Sequence, residues 1–221
     1  MTCDEFTTIY WTQYLSLEKE FAATLQYLTL DVNNENAYSQ AYSKLMLEIG
    51  SEIDVVFKEY CKLIDSDFKG TYKTIGRYKN SIKNNNPDFI TQEVMIINHD
   101  RTLSPWIEWN TLPDSPWWWT AYNKVKHSRT SVVEIDGLKQ KAYKFANQKY
   151  TLLALAGLYQ IMVNLYQRLA SDEEKRIVTP MPGSRVFKMT GGQWDHINFY
   201  GDSAFYIDKG NLFWETSTIH Y

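Results

Sequence analysis

Apolar side chains recur three or four positions apart along three long segments of this 221-residue chain. The segments span residues 5–30, 35–65 and 140–169, and the third has the most regular spacing. Such spacing places the apolar side chains on one face of an α-helix. Two shorter helices are predicted over 72–83 and 116–127. We therefore expect a mainly α fold, a bundle of four to five helices.

A glycine, Gly50, lies in the middle of the second long segment. Glycine destabilises a helix interior by about 1 kcal/mol relative to alanine. Its presence indicates either that another helix packs closely against it or that the helix kinks there.

Short β-like runs interrupt and follow the helices. The apolar run at 93–97 can be turned back by the polar residues at 99–101, which predicts a small β hairpin inserted at about 92–109. Three further β-like runs follow the last long helix, at 186–189, 204–207 and 212–214.

This pattern predicts one helical domain over residues 1–175, with the β hairpin inside it. Residues 185–221 are expected to form a β-rich C-terminal appendage and not an independent domain.

The net charge is −3 and the isoelectric point is near 5.8, so the chain lacks a protein-wide basic surface. Any contact with nucleic acid must therefore come from a local basic patch. The two cysteines, Cys3 and Cys61, lie far apart, and His99, His196 and His220 do not show metal-ligand spacing. We expect no metal and no other cofactor.

The longest apolar stretch, at about 152–165, is interrupted by Gln160 and Asn164. It is too short and too polar to span a bilayer. The first residues lack the basic and apolar pattern of a signal peptide. We expect a cytoplasmic protein without a membrane partner.

The segment at 116–129 has the sequence PWWWTAYNKVKHSR. Its three consecutive tryptophans cannot share one helix face, because successive residues of an α-helix are rotated by about 100°. Packing in the core is the ordinary interpretation of these rings. The alternative is a surface on which nucleobases or a partner protein stack.

The second half of this segment combines a histidine with several cations. Asn123 and His127 are four residues apart and share one helix face. Lys124, Lys126 and Arg129 make their surroundings basic. Cations can neutralise a phosphodiester while a histidine acts as general acid or base. A single histidine at a helix end is, however, more often a cap or a satisfied polar contact.

Two long predicted helices are followed by a shorter helix bearing Asn123-x-x-x-His127 and by a long Ala/Leu-rich helix. This order of helices resembles that of the HEPN superfamily. Its members are helical, usually dimeric proteins of prokaryotic toxin–antitoxin and phage-defence systems, and many are metal-independent ribonucleases. The family motif is an arginine, a polar residue that is often asparagine, three further residues and a histidine. Tyr122 stands at the arginine position, which normally binds the scissile phosphate. The resemblance covers residues 5–170.

The resemblance implies an RNA-cleaving site with His127 as general acid and base and Asn123 as its orienting partner. Lys126 and Arg129 would bind phosphate, with Tyr122 and Lys124 beside them. A homodimer would join two such helices in one cleft, and an antitoxin or another defence-system protein would be the partner.

In the family a polar residue from an earlier helix often supports the site. Glu52 or Asp54 would fill this role by orienting His127 or Lys126, and the alternative is that both acids are solvated or structural. Because Tyr122 replaces the arginine, a second interpretation stays open. The chain would then be a non-catalytic HEPN-like module that binds or regulates a partner protein.

Overall fold

The computed structural model describes residues 1–70, 74–113, 115–175, 179–191 and 194, and the backbone of three strands at 197–200, 203–208 and 211–216. Over these residues the protein is mainly α with small antiparallel sheets, as the apolar periodicity predicts.

The helices are α1 (Cys3–Phe6), α2 (Thr12–Thr24), α3 (Gln40–Ile64), α4 (Ile75–Asn85), α5 (Trp117–His127) and α6 (Gln148–Asp172). A π-helical turn over Thr7–Trp11 joins α1 to α2, so the described chain has five separate helical rods. None of the described helices is both long and apolar enough to cross a lipid bilayer.

The strands are β1 (Glu93–Ile96), β2 (Thr102–Leu103), β3 (Val132–Ile135), β4 (Leu138–Lys141), β5 (Phe187–Thr190), β6 (Ile197–Tyr200), β7 (Ser203–Asp208) and β8 (Asn211–Thr216). They form three antiparallel sheets with the orders β2–β1–β5, β3–β4 and β6–β7–β8. The predicted hairpin at 92–109 is present as β1–β2, but β2 has only two residues, and a 3₁₀ turn (Ile107–Asn110) follows it.

The start of the expected C-terminal appendage is joined to the helical domain. Strand β5 pairs with β1 from Glu93↔Thr190 to Ile96↔Phe187. The β1–β2 hairpin, which lies between α4 and α5 in the sequence, is therefore completed to a three-stranded sheet by β5, which follows α6.

Helices α3 and α6 pack together at the centre of the bundle, and α6 is buried on almost all sides. Gln160 and Asn164, which interrupt the apolar stretch of α6, are also buried. Asn164 Nδ2 donates to Gln92 Oε1 at 2.7 Å, and Gln160 Nε2 donates to the Phe89 carbonyl. A helix surrounded by protein thus keeps these two amides because the neighbouring segment at residues 87–92 accepts hydrogen bonds from their N–H groups.

The last helix begins later than the apolar spacing predicts, at Gln148 and not at residue 140. Asp136 and Gly137 have φ values of 52° and 74°, which suit the tight turn of a two-residue hairpin, so residues 138–141 form a strand. The side chain of Asn147 then accepts a hydrogen bond from Tyr150 N–H at 3.0 Å and caps α6.

A buried carboxylate anchors the segment that leads into β5. Glu18 is 3% exposed and accepts hydrogen bonds from the Tyr14 hydroxyl at 2.7 Å and from Arg185 N–H at 2.9 Å. The Ser184 hydroxyl donates to the same carboxylate. Three donors from two parts of the chain therefore converge on this one acid.

We expect Glu18→Ala to lower the free energy of unfolding by about 3 kcal/mol, because it leaves buried donors without an acceptor. Urea denaturation measures the change, and limited proteolysis should show faster cleavage near residues 179–190. Glu20→Ala is the matched control, since Glu20 forms only an exposed ion pair with Lys44, worth less than about 1 kcal/mol. Equal stability of the two variants would contradict the anchoring role.

Candidate nucleic-acid interface at the end of helix α5

The first half of α5 belongs to the core. Trp118 and Trp119 are buried, which agrees with the packing interpretation of these two rings. Trp118 Nε1 donates to the Pro105 carbonyl at 2.7 Å, and its ring meets Trp106 edge-on with centroids 4.8 Å apart. The Trp117 N–H donates to the Glu108 carboxylate at 2.7 Å. These contacts fix where α5 begins and which face it buries.

Tyr122, at the position of the family arginine, packs against Gly50 of α3. The tyrosine is 4% exposed, and a Cβ atom built on Gly50 would lie 2.4 Å from its ring carbon Cε2. Gly50 is therefore present because an aromatic ring occupies the space of a side chain, and α3 continues through it without a break. Position 122 is a packing position in this chain.

The hydroxyl of Tyr122 accepts a hydrogen bond from Lys126 Nζ at 3.2 Å, and the same ammonium lies 5.4 Å from the ring centroid. Tyr122 thus positions the exposed Lys126 one helical turn further along α5.

Asn123 and His127 lie on the same helix, four residues apart, and His127 is the last residue of α5. The histidine is exposed and Asn123 is half-buried. Among the described residues, neither side chain has a hydrogen-bond partner. The predicted pair therefore shares one face without a bond between its members, and the imidazole is open to an incoming ligand.

More cations follow directly after α5. Residues 121–149 contain seven lysines and arginines against two acidic residues, a formal charge of +5 in a chain of net charge −3. In the β3–β4 hairpin, Val132 pairs with Lys141 and Glu134 with Lys139, so these four side chains share one face. The Arg129 carbonyl accepts from Tyr143 N–H at 3.1 Å, which joins the hairpin to the end of α5.

We call the following set the basic surface: Lys124, Lys126, His127, Arg129, Lys139 and Lys141. All six residues are exposed. Within the described part of the chain, no carboxylate forms an ion pair with any of these lysines or with Arg129. Arg129 Nε donates to the Val125 carbonyl at 3.1 Å, which leaves the terminal guanidinium nitrogens for a ligand.

The two acids expected to support the site, Glu52 and Asp54, lie on α3 beside other groups. Asp54 accepts a hydrogen bond from the Tyr78 hydroxyl of α4 at 2.9 Å. Burial raises the pKa of Glu52. The pKa of Tyr10 is raised first by burial, then by the negative charge of Glu59 and then by that of Glu52. Glu52 therefore lies near the N-terminal helix. In the described part of the chain neither acid forms a hydrogen bond or an ion pair with His127 or Lys126, which favours a structural role for both.

Among the described residues, no group of three or more histidines, cysteines or acids lies close enough together to bind a metal ion. Burial raises the pKa of Cys3 to about 11 and that of Cys61 to about 12, so both thiols are protonated at neutral pH and poorly nucleophilic. His196 and His220 lie outside the described residues.

No protein-family model, curated protein or solved structure matches the chain.

Sequence reasoning missed Lys139 and Lys141, which the β3–β4 hairpin adds to the helix end. The signal was present as the local excess of positive charge over residues 121–149. A helix assigned from residue 140 onward hid it, because the two lysines then appeared to lie on different elements.

Proposed function

We propose that the basic surface binds RNA and that His127 acts there as general acid and base in metal-independent RNA cleavage. One observation carries the proposal. The last residue of α5, His127, is an exposed imidazole without a hydrogen-bond partner among the described residues. The cations around it form no ion pair with a described carboxylate. Cations that form no ion pair with a carboxylate attract a polyanion, and an imidazole without a hydrogen-bond partner can serve as a general acid or base.

The chemistry that fits these groups is transfer of the phosphodiester to the neighbouring 2′-oxygen. The 2′-hydroxyl loses its proton to a base as its oxygen bonds to phosphorus. The bond from phosphorus to the 5′-oxygen breaks, and that oxygen takes a proton from an acid. Cations stabilise the charge on the phosphoryl oxygens in the transition state, so the reaction does not require a metal.

Lys126 and Arg129 are the cations we assign to the scissile phosphate, in place of the family arginine. Tyr122 holds Lys126 in position, and the hydrogen bond to the Val125 carbonyl holds Arg129. Lys124, Lys139 and Lys141 would hold neighbouring phosphates of the strand.

Efficient proton transfer uses an acid and a base together, and the basic surface of one chain contains one imidazole. A homodimer that placed two α5 helices side by side would provide both groups. Such a two-fold contact is the commonest symmetry of protein oligomers.

The HEPN resemblance suggests the biological process in which this activity would take place. We propose that the protein acts in the cytoplasm of a bacterium, in phage defence or as part of a toxin–antitoxin pair, with an antitoxin or another defence-system protein as its partner. Expression would then be toxic to the cell, and loss of His127 would relieve the toxicity.

The buried Tyr122 favours a second candidate function. Because the phosphate-binding arginine is replaced by a packing residue, the chain would serve as a non-catalytic HEPN-like module that binds a partner protein. Harmless expression together with a stable co-purifying partner would support this module over the enzyme.

RNA binding is tested by charge reversal. We expect the triple variant Lys124→Glu/Lys139→Glu/Lys141→Glu to weaken RNA binding strongly at low salt and to lower the slope of log affinity against log salt by about 2. Fluorescence anisotropy of a labelled RNA, measured over a series of salt concentrations, gives both quantities.

The matched control reverses three exposed lysines elsewhere, as Lys19→Glu/Lys69→Glu/Lys83→Glu, and changes the net charge equally. If both triple variants weaken binding to the same extent, the basic surface is not the RNA site.

A further inference from the structure

A groove of about 480 Å³ opens between the end of α2 and the start of α3. Its walls are mainly apolar and aromatic and include Tyr27, Leu28, Tyr38 and Tyr42. Tyr27 is 89% exposed and Tyr38 is 48% exposed, so two phenol rings at this groove are open to solvent. Contiguous exposed apolar patches and grooves commonly mark sites that bind a ligand or a partner.

The groove lies beside the basic surface. The rings of Tyr38 and Tyr143 meet edge-on with centroids 5.5 Å apart, and Tyr143 N–H donates to the Arg129 carbonyl. Arg129 follows His127 by two residues, a chain length of at most about 7 Å. Lys144 Nζ lies 5.6 Å from the centroid of the Tyr38 ring and adds a cation at the groove itself.

The segments that carry these rings are fixed to the start of α6. Gln148 is 1% exposed, and its Nε2 donates to the carbonyls of Leu28 and Thr29, both at 3.1 Å. Its backbone N–H donates to the Ala37 carbonyl at 3.0 Å. The loop bearing Tyr27 and the segment bearing Tyr38 are thus held in place before any ligand arrives, which lowers the entropy lost on binding.

We propose that this groove is a subsite for an unpaired nucleobase of the RNA strand whose phosphates the basic surface holds. Bases stack on tyrosine rings whatever their identity, and nearby cations hold the backbone between stacked bases. A base within a duplex has both faces covered, so only a single-stranded region can enter. The subsite rests on the proposed function, since it requires RNA at the basic surface.

The test compares two probes that differ only in their bases. A short labelled oligouridine and an abasic oligoribonucleotide of equal length and charge are titrated with the protein at one salt concentration. We expect the oligouridine to bind about tenfold more tightly. Tyr27→Ala/Tyr38→Ala should remove this preference and leave the affinity for the abasic strand unchanged.

Two further variants separate stacking from folding. Tyr38→Phe keeps an aromatic ring and should retain the preference for bases. Tyr27→Ala alone removes a ring that is 89% exposed, so it should reduce the preference without a change in thermal stability.

Equal affinity for the two probes, or a preference that survives loss of both tyrosines, would overturn the subsite while RNA binding by the basic surface stands. Failure of both probes to bind would overturn the subsite and the proposed function together. If loss of the tyrosines disrupts self-association or a protein complex and leaves base preference intact, the groove is a protein contact and the subsite is overturned.

Discussion

The rate of RNA cleavage is expected to fall by about 10²- to 10⁴-fold when His127 is replaced by alanine, which is the usual contribution of a general acid or base. The side chain is exposed and, among the described residues, makes no hydrogen bond, so its loss should change the free energy of unfolding by less than about 0.5 kcal/mol. Single-turnover cleavage of a labelled single-stranded RNA measures the rate, and urea denaturation measures the stability.

His99→Ala is the matched control, because His99 is also exposed but lies after β1 and outside the basic surface. The His99 variant should cleave RNA at the wild-type rate. Comparable rates for wild type and His127→Ala would exclude His127 from the chemistry and leave the interaction module as the better account.

Tyr122→Arg, which would restore the family motif, is expected to destabilise the protein by about 3 to 5 kcal/mol. The substitution places a guanidinium where a 4%-exposed ring packs against Gly50, and a buried charge without a partner has a cost of this order. Urea or thermal unfolding of the purified variant measures the effect.

Tyr122→Phe separates the packing role of the ring from the role of its hydroxyl. It keeps the contact with Gly50 and removes only the acceptor for Lys126, so we expect a loss of about 1 kcal/mol or less. A Tyr122→Arg protein as stable as wild type and faster in cleavage would show that position 122 opens into a catalytic site and is not part of the core.

The spacing of apolar residues was sufficient to predict that the helices exist, because the buried face of an amphipathic helix has apolar residues three or four positions apart. The ends were less predictable. The spacing continues across residues 140–147, where Phe145 is buried within a 3₁₀ turn, although α6 begins only after the Asn147 cap. Pairing of β5 with β1 joins segments about 90 residues apart, and no local pattern encodes a contact of that length.

In the candidate site, too, contacts within one helix could be predicted from the sequence and contacts between elements could not. Asn123 and His127 could be paired from the sequence because helix geometry fixes neighbours four residues apart. The contact of Tyr122 with Gly50 depends on how α3 and α5 pack, so the replaced arginine could be seen in the sequence but its buried environment could not. Lys139 joins the basic surface only through a hairpin turn.

The proposed activity is tested most directly by incubating the purified protein with RNA in excess EDTA and identifying the ends of the fragments. We predict fragments with 2′,3′-cyclic phosphate and 5′-hydroxyl ends, formed with the chelator present and lost in His127→Ala. Absence of cleavage, cleavage that EDTA abolishes, or equal cleavage by His127→Ala would contradict metal-independent catalysis by His127.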